Sequence, residues 1–209
     1  MLAFRAVAID YDGTLTQAER PSSDVLLALK ETRAAGVRLV LVTGRILAEL
    51  RAVFPDVDAH FDAIVAENGT VMAHPGRDRR LAAPPPLEFD EALLHRGVRF
   101  RRGQVLVATT KPYAGVVMEE LTRAGLECHM VRNRNEIMVV PSGASKGVGL
   151  AAALTELGIS PHDAVGIGDA ENDHSRLDAG ELGVAVANAV PALRARAELV
   201  LGEPEGRGV

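Results

Sequence analysis

The stretch Ala6-Val7-Ala8-Ile9-Asp10-Tyr11-Asp12-Gly13-Thr14-Leu15-Thr16 decides the fold. Its first part belongs to a short apolar run, Phe4–Asp10, rich in Val and Ile, which reads as a strand. The run then gives way to Asp-Tyr-Asp-Gly, a turn signal. A strand that is apolar throughout, with no polar alternation, is buried on both faces. Such strands are typical of parallel sheets covered by helices.

Reading outward supports this. Ser22 and Ser23 can cap a following helix whose apolar positions Val25, Leu26, Leu29 and Ala34 fit one stripe, and Gly36 ends it. Val37–Val42 is a second apolar run, after which Thr43-Gly44-Arg45 opens another helix. Asp62–Ala66 is a third run, closed by Glu67-Asn68-Gly69. Strands alternating with helices predict an α/β, Rossmann-like parallel sheet.

The pattern changes after Gly69. His74–Pro86, with its Pro84-Pro85-Pro86 run, reads as a linker. A short helix over about Glu88–Arg96 follows, then strands Val98–Arg102 and Gln104–Thr109. Pro112 suits the first turn of a helix reaching about Ala124, and strands Glu127–Arg132 and Glu136–Val140 come next. This αββαββ order predicts a small antiparallel sheet backed by two helices. Pro141-Ser142-Gly143 reads as a second linker. The α/β alternation then resumes with a helix over Lys146–Leu157, a strand at Ala164–Gly168, a helix at Glu171–Ala179 and short strands at Gly183–Val186 and Glu198–Leu201. The expected organisation is a core of residues 1–81 and 142–209 carrying an inserted α+β unit of residues 82–141.

Composition narrows the function. The chain has 209 residues and a net charge of −5, with no long Lys/Arg run, which disfavours non-specific nucleic-acid binding. Aromatic residues are only 3% and Trp is absent, so stacking platforms for bases are not expected. The lone Cys128 excludes an intrachain disulfide and a multi-cysteine zinc site. No apolar run approaches the roughly 18 residues of a membrane helix, and the first residues lack a signal-peptide layout. A cytoplasmic protein with no membrane partner is the expectation.

Polar residues gather where a parallel sheet binds ligands, at the carboxyl ends of its strands. They are Asp10 and Asp12, Thr43, Asp169 and Asp173, with Lys146 at the start of a helix. Singly, each has a plain structural explanation: a turn, a helix cap, a solvated helix residue or a helix-dipole partner. Together they make a cluster of carboxylates that repel unless a cation offsets them. Hard oxygen donors favour Mg²⁺, and a Lys and a Thr hydroxyl beside them suit an anionic oxygen ligand. Charge counting therefore points to a Mg²⁺-phosphate site.

These residues also carry a resemblance. Asp10-Tyr11-Asp12-Gly13-Thr14-Leu15-Thr16 resembles the first motif of the haloacid dehalogenase superfamily, and Leu41-Val42-Thr43-Gly44-Arg45 the second. Ser145-Lys146-Gly147 resembles the third, and Gly168-Asp169-Ala170-Glu171-Asn172-Asp173 the fourth. An insertion between the second and third motifs is similar to the Cof-type branch, whose insert caps the site. A cap of about 60 residues is similar to that of archaeal phosphoglycolate phosphatases and sucrose-phosphate phosphatases.

The resemblance implies a Mg²⁺-dependent phosphatase acting on a small phosphorylated metabolite, phosphoglycolate-like or a sugar phosphate. Asp10 matches the nucleophile, which forms an aspartyl-phosphate, and Asp12 the general acid/base. The metal is implied to sit on the Asp10 carboxylate, the Asp12 backbone carbonyl and Asp169, with Asn172 and Asp173 supporting that network. Thr43, Gly44 and Lys146 match phosphate-binding positions. Tyr11 is larger than the residue many relatives carry there, and its ring is expected to pack on the core or line the site mouth.

Substrate choice is expected from the cap. Arg99, Arg101, Arg102, His129, Arg132, Asn133, Arg134 and Asn135 are its candidates, Arg132 and Arg134 foremost, because an Arg fork suits carboxylates and phosphates. Glu67 and Asn68, at the core's functional edge, are candidates for substrate hydroxyls. Two other readings stand beside the phosphatase: a phosphomannomutase-like phosphotransferase, and a domain of a larger multidomain protein that binds a phosphorylated ligand. Relatives commonly continue past Gly206-Arg207-Gly208-Val209 into a last helix, which leaves room for a fused C-terminal domain or a homo-oligomer.

Overall fold

A computed structural model of the chain describes residues 4–133, 135–170 and 180–209. The expected helix at Glu171–Ala179 lies outside the described residues. The first strand, β1 (Ala6–Asp10), runs parallel to β2 (Arg38–Val42) on one side. Helix α1 (Ser23–Ala34) joins them; the Ser22 hydroxyl accepts the Val25 N–H at 3.4 Å, and Asp24 complements the helix dipole in the first turn. Beyond β2 come α2 (Leu47–Val53), a single turn α3 (Val57–His60), β3 (Ala63–Ala66), β4 (Val71–His74) and β5 (Arg77–Arg80).

The second unit holds α4 (Leu87–His95), β6 (Arg101–Arg102), β7 (Val107–Thr110), α5 (Ala114–Arg123), β8 (Cys128–Asn133) and β9 (Glu136–Pro141). The chain then returns through α6 (Lys146–Glu156), β10 (Ala164–Gly168), β11 (Leu182–Ala185) and β12 (Leu199–Val200). Among the described residues no helix is long and apolar enough to cross a membrane.

The large sheet has the order β12-β11-β10-β1-β2-β3-β4-β5. From β1 the chain builds outward through β2 and β3, then returns to the other side of β1 with β10, β11 and β12. The strand order therefore switches at β1, and an open α/β sheet forms its ligand crevice at such a point. The continuous apolar runs have a direct cause. Leu39 and Leu41 of β2 pack to one side with Leu50, Phe54 and Phe61, while Val40 and Val42 pack to the other with Leu150 and Leu154 of α6. Both faces are core, so no polar alternation survives.

In the small unit β6 and β7 begin three residues later than the expected Val98 and Gln104, and two features of the large sheet depart from expectation. The sheet is mixed: β4 and β5 pair antiparallel to their neighbours. Strand β5 also lies inside the stretch read as a linker. Its four residues, Arg77–Arg80, are all exposed and all charged, so no apolar signal marks them. As the sheet edge, such a strand resists pairing with another chain. Ion pairs hold it in place, Arg51 to Asp78 at 2.7 Å and Arg79 to Glu156 at 2.8 Å.

The small sheet, order β6-β7-β9-β8, is antiparallel. One face packs on α4 and α5 through Phe89, Leu93, Val107, Val117, Leu121 and Val139. The other presents Leu106, Ala108, Met138 and Val140 toward Ile46, at the start of α2. The smaller unit thus lies against the loop that follows β2.

One glycine fixes the approach of α6 to the sheet. Gly69, at φ +93°, sits so close to Ser145 that a Cβ would collide with the Ser145 carbonyl. Gly36 has a similar φ of +90° with open space around it. Gly36→Ala should cost about 1 kcal/mol, the left-handed strain alone. Gly69→Ala should cost about 3 kcal/mol or more, because strain and collision add. Urea unfolding of both variants checks this; equal losses would show that the helix yields freely.

Candidate active site

The site begins at the end of β1. Asp10 is buried, with 3% of its surface exposed, at the point where the chain leaves the sheet. Lys146, the first residue of α6, is buried to the same 3%, and its Nζ donates to Asp10 Oδ1 at 2.6 Å. The Ser145 side chain caps this helix by accepting the Val148 N–H at 3.2 Å, which fixes where the lysine starts. Two opposite charges out of water are tolerable only when paired closely, because removing one leaves the other stranded.

Asp12 faces the cleft. Arg45 holds it with a two-toothed fork: Nε lies 2.9 Å from Oδ2 and Nη2 lies 2.6 Å from Oδ1. The guanidinium also rests over the Tyr11 ring, 4.9 Å from its centroid. Tyr11 itself is fully buried and donates its hydroxyl to the Glu19 carbonyl at 2.5 Å. Burial pushes its phenol up to about 12, partly offset by Arg45. Tyr11 therefore packs into the core and serves as the platform on which Arg45 reaches Asp12.

Asp169 follows β10, the parallel neighbour of β1, in a register that pairs Ile9 with Ile167. Asp10 and Asp169 thus emerge from adjacent strands, which lie about 4.8 Å apart in any sheet. The Thr14 hydroxyl donates to Asp169 Oδ1 at 2.9 Å. Asn188 steadies the same turn, its Nδ2 donating to the Gly13 carbonyl at 2.7 Å.

No group of three or more His, Cys, Asp or Glu side chains converges as a metal cage among the described residues. The donor chemistry still suits a small hard cation. Two buried carboxylates on adjacent strand ends, Asp10 and Asp169, and the Asp12 carbonyl could hold an ion that keeps much of its water shell.

Thr43 is fully buried at the end of β2, where its hydroxyl accepts the Arg45 N–H at 3.1 Å. That geometry leaves the hydroxyl proton to donate to an anionic oxygen. Gly44 and Arg45 then line a cleft of about 300 Å³ between the two units, with Asp12, Arg101, Asn133 and Glu136. Arg101 spans the rim, pairing with Glu49 of α2 and Glu136 of β9.

The structure thus brings together Asp10, Asp12, Thr43, Gly44, Lys146 and Asp169. Asn172, Asp173 and Arg134 lie outside the described residues. Arg132 is exposed and does not line the cleft. Arg102 is engaged by Asp90 and the Pro85 carbonyl. Asn68 is buried behind Gly44 and Met138, with Nδ2 3.0 Å from the Met138 sulfur. The Glu67 carboxylate is taken up by backbone N–H groups of residues 104–106.

Sequence reasoning gives no role to Thr14 or Asn188, and none to Arg45 beyond its motif. The alternation of Asp12 with a cationic residue after Thr43-Gly44 could have suggested the fork. Nothing local marks Asn188.

Comparison with known proteins identifies the family and the fold. Residues 7–83 and 101–209 match the family model of the haloacid dehalogenase-like hydrolases. The phosphoglycolate phosphatase of Methanothermobacter thermautotrophicus is 32% identical, with 98% of this chain and 95% of the relative aligned. Among solved structures, a protein of Thermoplasma acidophilum superposes with a TM-score of 0.81 at 17% identity, covering 98% of this chain and 94% of that one. A subclass IIB sugar phosphatase superposes with a TM-score of 0.74 at 20% identity, covering 94% and 93%.

The buried pair gives a stability test. In metal-free buffer, Lys146→Met should cost about 3 kcal/mol or more, as when one partner of a buried ion pair is removed. The double variant Asp10→Asn/Lys146→Met should recover part of that loss, because neither charge of the pair is then left without the other. Urea unfolding of the four proteins measures the coupling. Purely additive losses would mean that the pair does not hold the site together.

Proposed function

The chain belongs to the haloacid dehalogenase-like hydrolases, and on that premise we propose that it is a Mg²⁺-dependent phosphatase working through an aspartyl-phosphate on Asp10. Its substrate is a small phosphorylated metabolite, phosphoglycolate-like or a sugar phosphate. The observation that carries the reading is the placing of Asp10 and Asp12 at the switch point of the sheet, with Lys146 Nζ 2.6 Å from the Asp10 carboxylate. In this reading Asp10 is the nucleophile, Asp12 the proton carrier and Lys146 the phosphate-binding cation, and Asp12 lines the cleft.

In the first step the Asp10 carboxylate oxygen attacks phosphorus in line, and the ester oxygen leaves with a proton from Asp12. In the second, Asp12 takes a proton from water, whose oxygen attacks phosphorus and returns Asp10 as a carboxylate with inorganic phosphate. Lys146 and the Thr43 hydroxyl hold the phosphoryl oxygens throughout. Arg45 holds Asp12 as a carboxylate through its fork, and Asp12 leaves that fork to carry the proton. Mg²⁺, held by Asp10, the Asp12 carbonyl and Asp169, would neutralise charge between carboxylate and phosphate. Asn172 and Asp173 would support its waters.

Residues 82–141 act in this reading as a cap that encloses the substrate and excludes water. The small cleft supports a small substrate. A cytoplasmic location accords with the lone, half-buried thiol of Cys128.

Phosphate release from 4-nitrophenyl phosphate and a panel of phosphorylated metabolites tests the function. Wild type should require Mg²⁺, Ca²⁺ should fail to replace it because it prefers a looser shell, and Asp10→Asn should lose about a thousandfold or more. Full activity of Asp10→Asn would remove the nucleophile. No release by folded wild type would shift the reading to phosphoryl transfer between sugar positions or to a binding domain.

A further inference from the structure

Glu67 is a fully buried carboxylate that the mechanism does not use. It follows β3 at the same sheet edge as Asp10 and Thr43. Oε1 accepts the Gln104 N–H at 3.0 Å and, at 3.5 Å, the Leu47 N–H of its own unit, and Oε2 accepts those of Val105 at 2.9 Å and Leu106 at 3.0 Å. Three successive N–H groups in one turn form an anion-binding nest, and the ligand of this nest is a side chain of the other unit. Among the described residues Glu67 has no cationic partner, so the three close N–H groups of the nest, with the longer Leu47 contact, compensate the buried charge. The fit is close: a Cβ on Gly103, at the same turn, would collide with the Glu67 carboxylate.

The backbone of this residue faces the catalytic loop. The Glu67 N–H donates to the Arg45 carbonyl at 3.0 Å, and the Asn68 N–H to the Thr43 carbonyl at 3.1 Å. Glu67 itself adopts a left-handed φ of +54°, a strained conformation for a residue with a side chain. Leu106, held by Oε2, forms a wall of the cleft. One residue thus joins the loop that holds the phosphate to the turn that roofs the substrate.

We propose that Glu67 is a positioning residue, whose carboxylate sets the β6–β7 turn over the Thr43–Arg45 loop and so encloses a small phosphate ester. The proposal rests on the phosphatase reading, with the cap choosing the substrate. A small ester depends on that enclosure. An aryl phosphate, which reaches past it, depends mainly on the chemistry below. Glu67→Gln keeps the shape but turns an amide N–H₂ toward N–H donors. Gly103→Ala presses on the same contact from the opposite side without altering Glu67.

The test takes kcat and KM of wild type and both variants for 2-phosphoglycolate and 4-nitrophenyl phosphate, with the folded fraction checked by near-UV circular dichroism. Hydrogen exchange of the peptide covering residues 103–107 is followed in parallel. In both variants kcat/KM for 2-phosphoglycolate should fall roughly tenfold or more, mostly through KM, as expected for a roof displaced by an ångström or less. The aryl phosphate should lose less than about threefold, because the groups that act on it stay in place. Exchange at residues 103–107 should quicken roughly tenfold as the turn loses its anion. Unchanged exchange, or equal losses on both esters, would overturn the positioning role. If wild type hydrolyses neither ester, the phosphatase reading fails by itself. The exchange data then still decide whether Glu67 holds the turn.

Discussion

Carboxylates brought to one end of a sheet repel each other, and the arrangement around this site answers that repulsion. Asp10 and Asp169 leave adjacent parallel strands, and Asp12 lies two residues beyond the first. Each has its own partner: Lys146 on Asp10, the Thr14 hydroxyl on Asp169 and the Arg45 fork on Asp12. Each partner depends on a different part of the fold. Lys146 needs α6 to begin where it does, which needs Gly69 to let the Ser145 carbonyl approach. Arg45 needs the buried Tyr11 ring beneath it. The site is therefore a consequence of the sheet order, the helix start and the core, and cannot be separated from them.

The second dependence runs between the two units. Their contact has an apolar part, where Ile46 meets Leu106, Ala108 and Met138. It has a buried polar part at Glu67 and an exposed one, where Arg101 bridges Glu49 and Glu136. These differ in strength. Exposed ion pairs contribute little and are screened by salt. A buried carboxylate in a backbone nest is costly to release, because both the anion and three N–H groups would lose their partners. Glu67 rather than the rim arginine therefore governs the register of the units.

Much of this was legible in the sequence, for identifiable reasons. The run Ala6–Asp10 announces a buried strand because parallel strands cannot alternate. The turn at Asp10-Tyr11-Asp12-Gly13 and the Lys146 helix start are local features, and local features can be read. Strand β5 was not legible, since Arg77–Arg80 has no apolar residue and is held by ion pairs distant in sequence. Thr14 and Asn188 were invisible for the same reason: their partners, Asp169 and Gly13, lie more than 150 residues away. Glu67 drew attention by its place at a strand end, but its partner is a set of backbone N–H groups, which carry no sequence signal.

The central claim, that Asp10 is a nucleophile placed by the fold, can be tested on the covalent step. Borohydride quenching during turnover reduces an aspartyl-phosphate to homoserine, and peptide mass spectrometry locates it. The account predicts homoserine at position 10 only when substrate and Mg²⁺ are both present. Reduction at Asp12 or Asp169 instead, or none at all during measured turnover, would contradict it.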